Sequence, residues 1–471
     1  VSSQAFEYFI LAVGVLFCIG ALDDVFLDIV HTVFRLVPEK VSKKTWAQWR
    51  QQSEKPLAIM IPAWQEDAVL EAMVETNLSR IRYHNFHWFI GVYPNDEATL
   101  SIARRLEAKF PSKVTVIVNN LPGPTSKAQC LNVVLNTIFG SIDAALASGE
   151  KPWIPAYIAI HDAEDVIHPE AFLAISSQED LDFIQLPIYS MPVETSKWVA
   201  GTYLDEFADV HLREIPARQK LRMPIPSAGV GTFFSYAIMK TLRNRFKTWF
   251  EEGNLTEDYE ISMKIARLGG KQRFLLITDE NNDVVSTREY FPDAFGRSVR
   301  QKARWTTGIG LQTMNKWGLY SKKLSFKNIL AWYGLWRDRK AIWLNPFTFI
   351  GWGASAVIVA IGIQNPEWWQ ELRHPELIRN LMFANLLLMG WRLVQKVRFT
   401  SILFGPAHGL YAIPRTFLAA VINGLSAIRA VKLYNEASKK GKNPEREIKW
   451  DKTAHVFPSA EAIRRSLERT Q

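Results

Sequence analysis

Between Ala159 and Phe172 the chain reads AIHDAEDVIHPEAF, which completes the apolar run Tyr157-Ile158-Ala159-Ile160 and then places Asp162, Glu164 and Asp165 within four residues. A short apolar run bounded by polar residues reads as a buried strand. The three carboxylates at its exit read in two ways, as an acidic solvated turn or as a cluster held for chemistry, and only their context separates the two.

That context is a regular alternation from Lys55 to about Lys322. LAIMIPAW, EDAVLEAMVETNLSRI, WFIGVYP, DEATLSIARRLEAKF, VTVIVNN, SKAQCLNVVLNTIF and YIAIHDAED follow one another as β-rich and helical stretches. Such alternation predicts an α/β domain, its sheet mostly parallel and covered by helices on its faces. Ligands of these sheets bind at the carboxyl ends of strands, where the strand order switches. Polar clusters stand at four such ends: Gln65-Glu66, Asn95-Asp96, Ser126-Lys127 and the acidic cluster. GPTSKA lacks the spacing of a Walker loop, and GVGTFF lacks the third glycine of a dinucleotide fingerprint.

Two later segments carry further groups. NLTEDYEISMKIARLGG predicts a helix with Thr256 as N-cap, Glu257 and Asp258 in its first turn, and Gly269-Gly270 at its end. Capping and the helix dipole would account for those acids by themselves. In RSVRQKARWTTG, Gln301, Arg304 and Trp305 are spaced i, i+3 and i+4 and share one helix face. Arg beside Trp makes a poor core stripe and a good surface for an anion and a ring.

At 471 residues, with 48% hydrophobic and 12% aromatic content, the chain exceeds one ordinary domain and is not disordered. Its net charge of +9, from 56 Lys and Arg against 47 Asp and Glu, fits either nucleic acid or the cytoplasmic side of a membrane protein. Apolar segments decide for the membrane. Only Cys18 and Cys130 occur, which excludes a disulfide framework and a zinc site. The chain starts at Val1 without a methionine, which suggests trimming and leaves room for domains beyond either end.

Tyr8 to Leu22 is uncharged and close to the minimum length for a span; no cleavage pattern follows, only the amphipathic DDVFLDIVHTVFRLVPEK, so it reads as a retained anchor. AIWLNPFTFIGWGASAVIVAIGIQNPEWW carries no charge from Ala341 to Pro366, with Trp343, Trp368 and Trp369 placed as interfacial anchors. LIRNLMFANLLLMGWRLVQKVR reads as a third crossing in which Arg379 and Arg392 snorkel. The stretch SILFGPAHGLYAIPRTFLAAVINGLSAIRAVKLYN is broken by Gly405-Pro406 and Pro414 and predicts interfacial or re-entrant helices. The predicted division is an anchor with its extension at 1–35, the α/β domain at 36–330, two membrane helices with an interfacial lead-in at 331–398, interfacial helices at 399–437 and a basic tail at 438–471. Arg35, Lys40, Lys43, Lys44 and Arg50 follow the first segment and no Lys or Arg precedes it, so the amino end is expected outside. The acidic connection with Glu367, Glu371 and Glu376 against Arg373 then forms an outer loop, and the α/β domain and tail lie in the cytoplasm.

From Lys55 to about Thr307 the motifs PAWQED, YPND, TSKAQCLN, HDAED, GVGTFF, TEDYE and QKARW occur in order between membrane helices. In this the chain resembles the processive family 2 glycosyltransferases, the family of cellulose, chitin and hyaluronan synthases. IPAWQED and HDAEDVIHPEAF are most similar to a bacterial inner-membrane group that serves phage adsorption and whose relatives make an exopolysaccharide. The resemblance implies a GT-A (Rossmann-like) cytoplasmic domain embedded between transmembrane helices, with interfacial helices beside it. It implies inverting transfer from a UDP-sugar donor, an N-acetylhexosamine among the candidates, to a growing polysaccharide. It also implies a cyclic-di-GMP-sensing domain beyond Gln471 and an outer-membrane partner, NfrA.

By the same resemblance, Mg2+ or Mn2+ held by carboxylates would offset the charge of a diphosphate leaving group. Asp162 would contact the nucleoside side and the metal, with Glu164 or Asp165 as the further ligand; the family more often shows Asp-x-Asp, and the extra residue in DAED leaves that choice open. Asp258 would be the general base for the acceptor hydroxyl, beside Glu257, provided burial and Glu257 offset the helix dipole that lowers its pKa. Gln65, Glu66, Asn95, Asp96 and Lys127 would hold the uridine side and Arg304 the diphosphate. Gly231, Thr232, Phe233, Phe234, Gln301 and Trp305 would shape the acceptor site. Membrane lipids and a homo-oligomer are expected partners, nucleic acid is not. Two other readings stand beside this one. QKARW, which accompanies chain elongation in the family, speaks against transfer of a single sugar to a lipid phosphate carrier, and the complete motif set speaks against a non-catalytic receptor or scaffold.

Overall fold

The computed structural model describes residues 3–317, 325–365, 367–368, 372–439 and 456–468. Pro366, Trp369, Gln370 and Glu371 of the expected outer loop, and residues 440–455 of the expected tail, lie outside the described residues. α1 (Ser3–Val33) leads through β1 (Glu39–Lys40) and α2 (Lys43–Gln51) into an alternating run: β2 (Leu57–Pro62), α3 (Leu70–Arg80), β3 (Phe86–Val92), α4 (Glu97–Lys109), β4 (Val114–Val118), α5 (Lys127–Ala147) and β5 (Tyr157–Ile160). After β6 (Val166–Ile167), α6 (Ala171–Ser176), β7 (Phe183–Gln185) and β8 (Ile188–Ser190), α7 (Trp198–Asp209) runs through a π-helical turn into α8 (Ile215–Lys220). β9 (Thr232–Ser235), α9 (Tyr236–Phe246), α10 (Glu257–Arg267), β10 (Gln272–Phe274), β11 (Ile277–Thr278), β12 (Thr287–Glu289) and α11 (Phe295–Thr306) complete the domain.

The main sheet has seven strands in the order β10-β7-β9-β5-β2-β3-β4. Every pairing is parallel except that β9 runs antiparallel to both β5 and β7, so the sheet is mixed. Its central strands are apolar at nearly every position because both faces are covered. Leu57, Ile59 and Ile61 of β2 enter one core with Met73 and Val74 of α3. Ala58 and Met60 enter the other, against Leu131, Val134 and Ile138 of α5. Each fully buried Leu or Ile stabilises by about 1.5–3 kcal/mol, so a slip of one residue in register is excluded by burial on either side. The strand order departs in both directions from β2, toward β3 and toward β5. The crevice at the carboxyl ends of these strands is where the acidic cluster emerges.

Beyond α11 a second π-helical turn, Thr307–Gln312, leads into α12 (Thr313–Trp317), and then come α13 (Phe326–Gln364), α14 (Pro375–Lys439) and α15 (Ala460–Glu468). α1, α5, α13 and α14 are long and apolar enough to cross a membrane. The apolar face of α5 covers the sheet, which leaves the other three as candidates. Gly20 meets Leu344, Gly351 meets Phe17 and Gly14 meets Leu381, so α1, α13 and α14 approach closely where side chains are smallest. Their outer faces expose Phe9, Val15, Ile19, Val357, Val359, Leu386 and Leu387, an apolar belt of the kind a bilayer covers.

Two expectations for α14 need correction. The chain breaks only at Gly405, whose φ of 83° is left-handed, and the helix continues through Pro414 because packing on α7 and α11 outweighs one missing backbone hydrogen bond. Arg392 does not snorkel. It pairs with Asp28 at 3.1 Å and Asp209 at 3.0 Å, acids that offset the cost of burying its charge.

Candidate active site

The acidic cluster divides as it leaves β5. Asp162 and Glu164 line a cleft of about 950 Å³, whereas Asp165 turns under it and is fully buried. Asp165 Oδ2 shares a 2.6 Å hydrogen bond with His161 Nδ1 and accepts another from the Asp162 amide at 3.2 Å. Burial pushes Asp165 well above the usual carboxylate range and His161 down to about 3, so both favour their neutral forms. The Oδ2 of Asp165 is engaged by His161 and the Asp162 amide, and the whole side chain is enclosed away from the cleft. Asp165 therefore fixes the turn, and the i, i+2 pair Asp162 and Glu164 is left facing the cleft.

Ser126 caps α5 by accepting from the Gln129 amide at 3.2 Å, which brings Lys127 to the start of the helix. Lys127 Nζ donates to Asp162 Oδ1 at 2.5 Å. Burial opposes its charge, but Asp162, Glu257 and Asp258 around it hold its pKa above the ordinary lysine value. Glu257 and Asp258 come from the first turn of α10 as expected, although Thr256 makes no side-chain capping bond. Burial first, then the neighbouring Asp258 charge, pushes Glu257 up to about 7; burial also raises Asp258, against the pull of Lys127. The dipole of α10 is thus outweighed.

Gln301, Arg304 and Trp305 of α11 line the same cleft. Trp305 stands edge-on to Tyr203 at 6.1 Å, and Tyr203 stacks on Phe291 at 4.8 Å and donates to Gln301 Oε1 at 2.9 Å. A second cavity of about 960 Å³ shares Glu164, Glu289, Phe291 and Gln301 with the cleft and extends to Phe404, Gly405 and His408 of α14 and to α15. Glu289 and Phe291 escaped the sequence reading because only the pairing of β12 in the small sheet with β6 and β8 brings them here.

Other expected residues fall elsewhere. Phe233 and Phe234 are fully buried on opposite faces of β9, and Thr232 is buried between Gln185 and Ser227, so none of the three has surface to offer an acceptor. The cleft is instead lined by the loop before them, Ala228, Gly229 and Val230, with Gly231 at the turn into the strand. Gln65, Glu66, Asn95 and Asp96 gather at the ends of β2 and β3 but are not among the residues that line the cleft. Asp96 accepts from the Gln65 amide at 2.5 Å and caps α4 through the Thr99 amide, and Asn95 bonds both backbone groups of Gly123.

Among the described residues no three His, Cys, Asp or Glu side chains converge as a ready metal cage. Two carboxylates nevertheless suit Mg2+ or Mn2+, ions that are commonly bound by one or two protein carboxylates together with substrate phosphate oxygens.

Residues 55–308 match the family described as glycosyltransferase like family 2, and the chain belongs to it. It is 34% identical over 490 aligned residues to bacteriophage adsorption protein B of Escherichia coli K12 and, equally, to bacteriophage N4 adsorption protein B of Escherichia coli O157:H7. Each alignment covers 97% of this chain and 63% of the relative, so the chain spans less than two thirds of the length of these relatives. The fold is that of the mannosyltransferase PcManGT from Pyrobaculum calidifontis, a structure in complex with GDP-Man and Mn2+. The TM-score is 0.51 at 13% identity, covering 90% of this chain and 99% of the other. The domain is a GT-A glycosyltransferase domain.

Proposed function

We propose that the chain transfers a sugar from a UDP-sugar to a growing polysaccharide with inversion at the anomeric carbon. The carrying observation is that Lys127, Asp162, Glu164, Glu257, Asp258, Arg304 and Trp305, from four separate segments of the chain, line one cleft. Arg304 and Lys127 are the cations placed to hold the diphosphate. A divalent cation on Asp162 and Glu164 would supply further neutralisation of the leaving group. Asp258, with its affinity for protons raised by burial, takes the proton from the acceptor hydroxyl as that oxygen attacks from the face opposite the diphosphate. Trp305 offers a ring surface for the acceptor sugar. The second cavity continues from this point toward α14, which favours an extended acceptor over a single-sugar transfer.

The wider setting is proposed from the family resemblance, supported by two relatives named as phage adsorption proteins. We place the domain on the cytoplasmic side of a bacterial inner membrane, amino end outside, with an exopolysaccharide product that phage exploit for adsorption and NfrA as the outer-membrane partner. We further propose, on the family resemblance alone, control by cyclic-di-GMP through a segment outside the aligned 63% of the relatives. The test is to reconstitute the protein in membranes with a panel of UDP-sugars and Mn2+ or Mg2+, following UDP release and polymer size. Asp258→Asn should lower turnover by roughly a hundredfold or more while keeping donor binding. Near-normal turnover in that variant would move the base to Glu257.

A further inference from the structure

The first turn of α10 carries the proposed base and yet has no side-chain cap of its own, since Thr256 makes none. Uncapped first turns fray unless something outside holds them. Here the loop before the turn is clamped by the segment after α11: the Leu255 amide donates to Gln312 Oε1 at 2.9 Å, and Gly308 packs directly on Thr256. A second fastening comes from the membrane helices. Tyr259 follows Asp258, and successive helical side chains point about 100° apart, so that one reaches the cleft and the other faces away from it. Tyr259 is buried beside Met263, Leu335 and Ile309, and its hydroxyl donates to Asp338 Oδ2 of α13 at 2.7 Å.

Asp338 is itself held. Its other oxygen pairs with Arg218, Arg218 Nε donates to Glu214 at 3.1 Å, Glu214 accepts from Arg337 at 2.8 Å, and Arg337 reaches Asp24 of α1 at 3.1 Å. A continuous, largely buried chain of charge-assisted bonds thus joins α1 and α13 to the residue next to Asp258. We propose that Tyr259 is a positioning residue that sets Asp258 against the acceptor by tying its turn to Asp338, a proposal that rests on the reading of Asp258 as the base. A misplacement of about 1 Å at a reacting group costs roughly a hundredfold in rate.

Tyr259→Phe removes the hydroxyl and keeps the ring and its packing. With the reconstituted protein and UDP-N-acetylglucosamine as probe, kcat should fall at least about tenfold while donor KM stays within about twofold, because the groups that hold the diphosphate are untouched. A kcat near that of the wild type, or a loss shared equally by KM and thermal stability, would overturn the proposal. Amide hydrogen exchange supplies a readout independent of turnover: backbone amides of residues 254–262 should exchange at least about tenfold faster in the variant at unchanged melting temperature. Unchanged exchange there would overturn the proposal even if the wild type were silent with every donor, an outcome that would count against the transferase reading alone.

Discussion

Gly229→Ala tests whether the placement of Asp258 matters. A Cβ on Gly229 would stand 2.6 Å from Asp258 Oδ2, where ordinary contact begins at 3.4 Å, so the carboxylate or the loop must move by roughly 0.8 Å. Gly229 also sits at φ +83°, where a side chain costs about 1–2 kcal/mol. The two effects separate through a control on the same helix. Gly269 ends α10 at φ +81° with nothing within 4 Å of its would-be Cβ, so Gly269→Ala carries the backbone cost alone. Both variants should melt lower by a similar amount. Only Gly229→Ala should lose turnover, by about ten- to a hundredfold, with donor KM little changed. Steady-state UDP release in reconstituted membranes, with melting curves run alongside, reads both. Equal turnover in the two variants would refute the argument that the Asp258 carboxylate acts from a fixed position against Gly229.

Other outcomes follow from the divided acidic cluster and from the charges around Lys127. Asp162→Ala and Glu164→Ala should each weaken UDP binding in Mn2+ by about tenfold, near 1.4 kcal/mol, by calorimetry; Asp165→Ala should instead cost about 1–3 kcal/mol of stability by stranding His161. Because the pKa of Glu257 rises from 4.5 toward about 7 on folding, the stability linked to it is complete below pH 4.5 and is lost as pH rises through 7. Glu257→Gln should therefore be more stable to unfolding than the wild type at pH 8 by on the order of 1–3 kcal/mol and match it near pH 4; a gap that did not change with pH would contradict the burial argument. A cysteine at Gln370 should label from the outer side and one at Lys44 should not, and the reverse pattern would invert the proposed topology.

What the sequence revealed and what it hid have physical causes. β2 and β5 were legible because a strand covered on both faces is apolar throughout, and the face shared by Gln301, Arg304 and Trp305 was legible because helical spacing alone fixes it. The reversal of β9 was not, since a strand's own pattern carries no record of its direction. GVGTFF misled for a related reason: its loop half lines the cleft, while its strand half alternates into two cores. Nor could spacing tell that Asp165 would turn beneath Asp162, because its partner, His161, is reached only once the turn has closed. At Asp96 the cap signal was present in NDEAT, whose first two residues also read as a ligand cluster, and both carboxylate oxygens are engaged by backbone amides.

The charge balance of the cleft bears on the metal. Its lining holds Asp162, Glu164, Glu251, Glu252, Glu257, Asp258 and Glu289 against Lys127 and Arg304. Glu251 pairs with Lys316, and burial draws Glu257 and Asp258 toward their protonated forms. Seven acidic side chains still line the cleft against two basic ones, and of the latter Lys127 is bonded to Asp162. A diphosphate entering this cleft meets net repulsion, and unit charges about 4 Å apart interact by roughly 4 kcal/mol at the effective dielectric near a protein surface. A divalent cation held by Asp162 and Glu164 would turn those two acids from repulsive neighbours into ligands and would offset the phosphate charge. Removing divalent cations with EDTA should therefore weaken UDP binding by at least about tenfold. In Asp162→Asn,Glu164→Gln, which keeps the side-chain shapes and removes both charges, UDP should bind about equally with and without Mn2+. If wild-type affinity for UDP were the same in EDTA as in Mn2+, the acids would not be metal ligands, and Lys127 and Arg304 alone would have to overcome the repulsion.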